Sequence, residues 1–399
     1  MKKNIGILIL ILSFLGVDAS ISYAKKKEVS IEPYKEKDIK AVYISYLEYY
    51  DNFYGGSKMV NETKIDKMIE NIKNIGFNTI ILHVSPFSDA IYNSKIFPYS
   101  STLTGVEGKN PGFDYLDYFI KKTHQNNMVL YAWINPYRIS FNNNLDLLSK
   151  DNPAISLLNT SNIGIDKNGI YYNPASEIVK QLILNQVKEI INNYNIDGIH
   201  FDDYFYIQDN IDKLEYDNYI NNKNEISLKE FRLMNTNDLI KRVYRLIKEK
   251  NNNITFSIAP DGNINNNYLY HFADIKTWVS EEGYIDIIMP QIYYGFENGY
   301  LPFDSALTSW KDLIKVDTVK IVPVLAFYKC GTVDNNSLNG KNEWLNNDNI
   351  IERQINYLKI NNINDYALFR YDYMFNKKYL NDVSVKEMEN LKKIQEKYG

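Results

Sequence analysis

The 399-residue sequence predicts an α/β fold, a (β/α)8 TIM barrel, and three observations carry that expectation. Short apolar runs rich in Val, Ile and Tyr alternate with longer amphipathic segments from residue 39 onward. Such alternation builds a parallel sheet with right-handed crossovers. Eight strand-helix units fit into this stretch, the number that closes a barrel. The rival doubly wound sheet lacks support, because no G-x-G-x-x-G follows the first run.

The strand-like runs are 41–47, 78–85, 128–135, 197–203, 254–259, 285–293, 320–327 and 366–371. Helical patterns occupy 62–75, 115–125, 176–194, 228–250, 272–282, 304–314, 350–360 and 385–397. Two connections are long: 86–113 after the second strand and 138–174 after the third. Both leave strand C-terminal ends, the face on which barrels assemble their sites, and loops of that length are usually functional or disordered. Residues 39–399 are expected to form a single barrel domain, with no internal repeat beyond the strand-helix unit.

Ahead of the barrel, Lys2 and Lys3 precede an apolar run over 5–17 and the small-x-small stretch Ser22-Tyr23-Ala24. Residues 1–24 therefore predict a signal peptide and 25–38 a charged lead-in. The run falls short of a membrane span of about 20 residues, although an uncleaved anchor is the alternative. The expected location is secreted or wall-associated, outside the cytoplasmic membrane.

Composition narrows the partners. With 45% hydrophobic and 24% charged residues the chain is neither disordered nor a multi-pass membrane protein. A net charge of −4 and no basic stripe argue against nucleic acid and anionic membrane surfaces. Four His and one Cys, none at zinc spacing, predict no metal centre, no internal disulfide and no cofactor, although a carboxylate-bound Ca²⁺ is allowed. The 34 Tyr would suit stacking on sugar rings, but compositional drift, in a chain also rich in Asn, Ile and Lys, is the main explanation for them.

Strand parity selects candidate site residues, since alternate side chains face the barrel interior. On the fourth strand Ile199 and Phe201 belong under the helices, so His200 and Asp202 point inward, Asp202 near the mouth. The same logic places His83 and Ser85 inward on the second strand, and Tyr131, Trp133 and Asn135 on the third. Gln291 and Tyr293 on the sixth strand, Arg370 and Asp372 on the eighth, and Ser257 and Asp261 on the fifth follow. So many polar groups inside a barrel are costly unless they pair or bind something. Asp202 and Asp203 are adjacent carboxylates at a strand end, where each raises the pKa of the other and one can serve as an acid. A helix cap or a Ca²⁺ ligand is the structural alternative for that pair.

Several segments resemble the glycosyl hydrolase-like 10 family of bacterial envelope proteins, over about residues 41–376. They are Ala41-Val-Tyr-Ile-Ser-Tyr-Leu-Glu48, Asp89-Ala-Ile-Tyr-Asn-Ser-Lys-Ile-Phe-Pro98 and Leu103-Thr-Gly-Val-Glu-Gly-Lys-Asn-Pro-Gly-Phe-Asp114. Ala132-Trp-Ile-Asn-Pro-Tyr-Arg138, Tyr172-Asn-Pro174 and Asp197-Gly-Ile-His-Phe-Asp-Asp-Tyr204 follow in order. Met289-Pro-Gln-Ile-Tyr-Tyr294, Lys341-Asn-Glu-Trp344 and Phe369-Arg-Tyr-Asp372 complete the series. The resemblance implies a TIM-barrel glycosidase linked to peptidoglycan glycan strands stripped of stem peptides. It points to Asp202 and Asp203 as catalytic carboxylates, with Asn135, Arg138, Gln291 and Asp372 lining the sugar site. Two positions depart from the family pattern: Tyr131 stands where His is common, and Asp261 where a less charged residue is usual. The 197–204 segment also looks like the fourth-strand motif of chitinase-type barrels, but Tyr204 occupies the place of their Glu.

The expectation is thus a secreted glycosidase acting on a cell-wall polysaccharide, with Glu48, His83, His200, Tyr204, Tyr293 and Arg370 as further substrate-binding candidates. Asp202 is the essential carboxylate by parity; Asp203, Glu48 and Asp372 compete to be its partner. The alternatives are a non-catalytic glycan-binding barrel using platforms such as Tyr137, Tyr293 and Tyr328, and a metal-dependent envelope enzyme, disfavoured by the scattered His.

Overall fold

The computed structural model describes residues 38–222 and 225–398. The predicted signal peptide and all of the lead-in but Asp38 lie outside the described residues. Among the described residues no helix is long and apolar enough to cross a membrane.

A parallel sheet curls through β1 (Lys40–Ile44), β2 (Thr79–Ser85) and β3 (Val129–Ile134). A separate antiparallel sheet follows, made of β4 (Arg138–Ser140), β5 (Ile163–Asp166) and β6 (Gly169–Tyr172) in the order β4-β6-β5. The main sheet resumes with β7 (Gly198–Phe201), β8 (Thr255–Ile258), β9 (Ile287–Ile288), β10 (Lys320–Ile321), β11 (Val324–Leu325) and β12 (Tyr366–Leu368). Its order is β10-β9-β8-β7-β3-β2-β1-β12-β11. The two outermost members are halves of one run, split at Val322 and Pro323 because proline has no amide to give the ladder. The Val322 amide donates to Ile288, that of Val324 to Pro290, and that of Ala367 to Pro323. Gln291 bridges to Val324 as well as to Asp261. Hydrogen bonding therefore passes from β9 through β10 and β11 to β12, and eight barrel positions are filled.

Strand parity sorts two cores. Val42, Ile44, Ile80, Leu82, Leu130, Ala132, Ile199 and Phe201 pack outward beneath the helices. Ala41, Tyr43, Ile81, Tyr131, Trp133, Ile287, Met289 and Ala367 fill the barrel. Gly198 opens β7 because a Cβ there would lie 2.6 Å from the Tyr131 ring. Outside, the helix Glu177–Asn193 buries Val179, Ile183, Val187 and Ile190 on one stripe, and the Ser176 side chain caps its first turn. The helix Leu228–Lys250 begins with a reciprocal box between Ser227 and Glu230.

Several boundaries differ from the sequence expectation, two of them at candidate site residues. The first strand ends at Ile44, and Tyr46–Phe53 is a helix whose cap is Ser45 and whose third residue is Glu48. Ser-x-x-Glu is a capping box, and this local signal overrides the apolar alternation that suggested a strand through 47. The eighth strand stops at Leu368 and a helix starts at Tyr371, which turns Asp372 away from strand geometry. The long connections are also structured: 138–174 carries β4, β5 and β6, and 86–113 holds the short helix Ser101–Thr104 and a bridge between Ala90 and Tyr99.

Candidate active site

At the C-terminal ends of the barrel strands lies a cavity of about 260 Å³. Tyr43, Trp133 and Ala259 rise from the barrel core, Asp202 to Tyr204 follow β7, and Arg138 and Phe141 come from the β4 segment. Gln291, Tyr293, Tyr328 and Phe369 complete the far wall.

Asp202 is one residue beyond β7 and only 3% exposed. One carboxyl oxygen accepts from the Tyr204 amide at 3.3 Å and the other has no hydrogen-bond partner. Burial first, and the charge of Asp203 second, push the Asp202 carboxyl well above the usual range, against the pull of Arg138. Asp203 is half-buried, and burial raises it too, while His271 and Gln291 favour its ionised form and Asp261 opposes it. Two adjacent carboxyls at one mouth therefore sit in unequal surroundings. That inequality is what separates an acid from a base.

The surrounding side chains are tightly oriented. Trp133 donates to Asn135 at 3.1 Å, and Asn135 donates to the Pro86 carbonyl at 3.2 Å. His83 stacks on Trp133 with ring centroids 3.5 Å apart, and neither of its nitrogens has a hydrogen-bond partner. Burial, with Arg138 and His200 nearby, holds His83 neutral by lowering its pKa well below the ordinary value. Arg138 is 8% exposed, and its guanidinium lies between Tyr204 (3.8 Å) and Phe141 (4.6 Å). Its Nε has no partner, and among the described residues no carboxylate pairs with it. Its charge still acts on the Asp202 carboxyl, which lines the same cavity without forming a contact ion pair with it.

Of the residues expected from sequence, Asp202, Asp203, Asn135, Arg138, His83, Tyr204, Gln291 and Tyr293 line the cavity together. His200, Glu48, Arg370 and Asp372 do not. His200 is fully buried beneath the floor, with Nε2 3.1 Å from the Tyr43 hydroxyl and Nδ1 2.8 Å from that of Ser257. Burial pulls its pKa down to about 3, so it supports Tyr43 as a neutral ring. Glu48 accepts from the Ser45 amide at 2.7 Å and hydroxyl at 2.6 Å, and it pairs with Arg370. Asp372 is fully buried beside them, its carboxyl raised to about 6 by burial and then by the charge of Glu48. These three form a buried knot off the cavity, whereas Asp203 lines it beside Asp202. Tyr137 is likewise buried and off the cavity, so it offers no platform. Tyr46 and Phe141 supply the aromatic wall instead, 5.8 Å apart. Phe141 lies past a turn in a segment with no strand periodicity to reveal it, whereas parity on β1 could have found Tyr43.

Asp203, Asp261 and His271 offer ligand atoms that all lie within 4.8 Å of one another, the set among the described residues that could hold a divalent ion. They come from two different loops, so no sequence spacing announces them. Asp261 already accepts from the Asn263 amide at 2.7 Å and from Asn266 at 3.0 Å, so it is positioned without an ion.

An α/β barrel with one buried and one half-buried carboxyl and an aromatic wall at its mouth defines a glycosidase-type scaffold. The model of the family Glycosyl hydrolase-like 10 matches residues 38–344, and the chain belongs to that family. Glycosyl hydrolase YngK of Bacillus subtilis (strain 168) is 31% identical over 318 residues, covering 74% of this chain and 61% of that protein. The chain thus matches less than two thirds of that relative's length. Glycosyl hydrolase DigH of Escherichia coli (strain K12) is 29% identical over 346 residues, covering 80% of this chain and 77% of the other. In fold, the chain is similar to the PgaB (BpsB) glycoside hydrolase domain from Bordetella bronchiseptica: TM-score 0.58, 10% identity, 90% of this chain and 98% of that one. The catalytic domain of β-amylase from Paenibacillus polymyxa gives a TM-score of 0.57 at 9% identity, with 90% and 98% covered.

Proposed function

We propose that this protein is a glycoside hydrolase that cleaves peptidoglycan glycan strands outside the cytoplasmic membrane. The observation that carries the chemistry is the pair Asp202 and Asp203 at the barrel mouth, the first buried with its carboxyl pushed well above the usual range, the second half-buried and flanked by His271 and Gln291. Asp202 donates its proton to the glycosidic oxygen as the bond to the anomeric carbon breaks. Asp203, ionised, supports the oxocarbenium-like centre by attacking it or by activating the water that does. Water supplies hydroxyl to the anomeric carbon, and its remaining proton restores Asp202 over the cycle. Tyr46, Tyr293 and Tyr328 present ring faces and edges to a sugar in the cavity.

Substrate and location rest on further support. Peptide-free peptidoglycan exposes a carboxylate on alternate sugars, and the buried Arg138, which forms no contact ion pair among the described residues, suits such a group. The relatives YngK and DigH carry the name glycosyl hydrolase. The charged start, apolar run and Ser22-Tyr23-Ala24 site support export, with the mature chain beginning at Lys25.

The test is reducing-end release from peptide-free wall glycan, with the mass of the exported protein read alongside. Cleavage that disappears in Asp202→Asn is the expected result. Tight glycan binding with no new reducing ends would instead make the protein a glycan-binding barrel, and an exported form retaining Met1 would overturn the cleavage site.

A further inference from the structure

Beside the catalytic cavity lies a second hollow of about 290 Å³, lined by residues of the loops after β7 and β8. Tyr204 faces both hollows, so the two adjoin across one side chain. Its floor is rigid. Arg232 donates to both oxygens of the fully buried Asp212 at 2.8 Å and lies under the rings of Tyr206 and Phe272. Its rim is apolar and open, with Leu269 56% and Tyr270 64% exposed.

Two features of this hollow have no structural explanation within the fold. Tyr206 is only 4% exposed, and its hydroxyl lies beside the buried Asp212 carboxyl without completing a well-aligned hydrogen bond to it. His271 Nδ1, in the same lining, is also buried and unpartnered, and so is Gln208 Oε1, which packs against Gly164 of β5. Each orphaned polar atom costs free energy that a hydroxyl-rich ligand would recover. In addition, the rim segment Asn267–His271 is wound as a π-helical turn and is followed by Phe272 in the left-handed region at φ 49°. Such turns and conformations persist where they present side chains for a purpose.

We infer that this hollow is a second sugar subsite, which takes a neighbouring residue of the same glycan chain whose scissile bond lies over Asp202. Tyr270 and Leu269 cover a sugar face, and Tyr206, Gln208 and His271 meet its hydroxyl or amide groups. The inference rests on the glycosidase reading and deepens it: the protein recognises an extended chain rather than a terminal disaccharide. Tyr204, between the two hollows, contacts sugars on both sides.

Peptide-free peptidoglycan oligomers from disaccharide to octasaccharide are the probe, used with the wild type, Tyr206→Phe and Tyr270→Ala. Tyr206→Phe removes one buried hydroxyl and Tyr270→Ala trims an exposed ring, so both variants are expected to fold. In the wild type kcat/KM should climb with chain length. Each variant should shrink the advantage of long over short oligomers by about 3- to 10-fold, the range of one or two lost sugar contacts. The same oligomers are titrated calorimetrically against Asp202→Asn, with and without each second change. Hydrolysis that is equally dependent on length in all three proteins overturns the subsite. If no oligomer is cleaved, the glycosidase reading falls, and the titration decides: affinity that rises with length and is levelled by Tyr270→Ala upholds the subsite, and affinity insensitive to both variants overturns it.

Discussion

Asp202→Asn keeps the outline of the side chain while removing its proton. If the carboxyl is the proton donor, turnover should fall by about 10²–10⁴-fold, or about 2.7–5.5 kcal/mol of barrier. Stability should move the other way. Asp202 is 3% exposed, one of its oxygens has no partner, and burial followed by the charge of Asp203 raises its pKa. An unfolded Asp ionises near about 3.9. Between that value and the higher folded one the native state holds more protons than the unfolded chain, so wild-type stability falls as pH rises through this interval. Every tenfold gap in acidity amounts to about 1.4 kcal/mol. Asparagine has no such ionisation. The variant should therefore melt like the wild type below the unfolded pKa and above it at neutral pH, with a gap that widens as pH rises through the interval. Reducing-end assays paired with melting curves across a pH series read both effects. Undiminished turnover refutes the proton-donor role, and a variant that loses stability relative to wild type with rising pH refutes the account of a carboxyl buried at a cost.

Three further outcomes are expected. Arg138→Met should erase the preference for carboxylate-bearing glycan over the same glycan with its carboxyls reduced to alcohols, a change of about tenfold or more for one charge-assisted contact; an unchanged ratio of kcat/KM would show that Arg138 reads no anion. Glu48→Ala strands the buried Arg370 and should cost about 3–5 kcal/mol in denaturant unfolding, since the pair is buried behind the cavity wall; an activity loss as deep as that of Asp202→Asn with unaltered unfolding would return Glu48 to the chemistry. Exhaustive chelation should leave turnover unchanged, because carboxylate acid-base chemistry needs no ion; loss restored by a divalent cation would make Asp203, Asp261 and His271 a metal centre.

Periodicity made the barrel legible because each strand has one face under helices and one inside. Ile199 and Phe201 against His200 and Asp202 is a pattern that fits a half-polar interior. The helices 115–125 and 228–250 are readable to the residue because caps and apolar stripes agree there, and 350–360 from its apolar stripe alone. What parity cannot supply is height along the barrel and the course of chain beyond a strand end. His200 has the correct face but lies a layer too deep, and Glu48 and Asp372 were placed by continuing strands that had already become helices. The β4–β6 sheet has no sequence signature because its strands are only three or four residues long, too short to show a period. The meeting of Asp203, Asp261 and His271 is a tertiary fact with no local signature.

Arg138 is both a wall of the cavity and the first residue of β4, where it pairs with Tyr171 of β6. Its guanidinium therefore takes its aim from a small sheet that the barrel does not build. A slip of one residue in that pairing would swing Arg138 to the opposite face of its strand and remove the cation from the mouth. The barrel could keep its carboxyls in place throughout. On the proposed reading, selectivity for a charged glycan and the capacity to break its bonds are separable inheritances, the first resting on the alignment of three short strands and the second on the eight-fold frame beneath them.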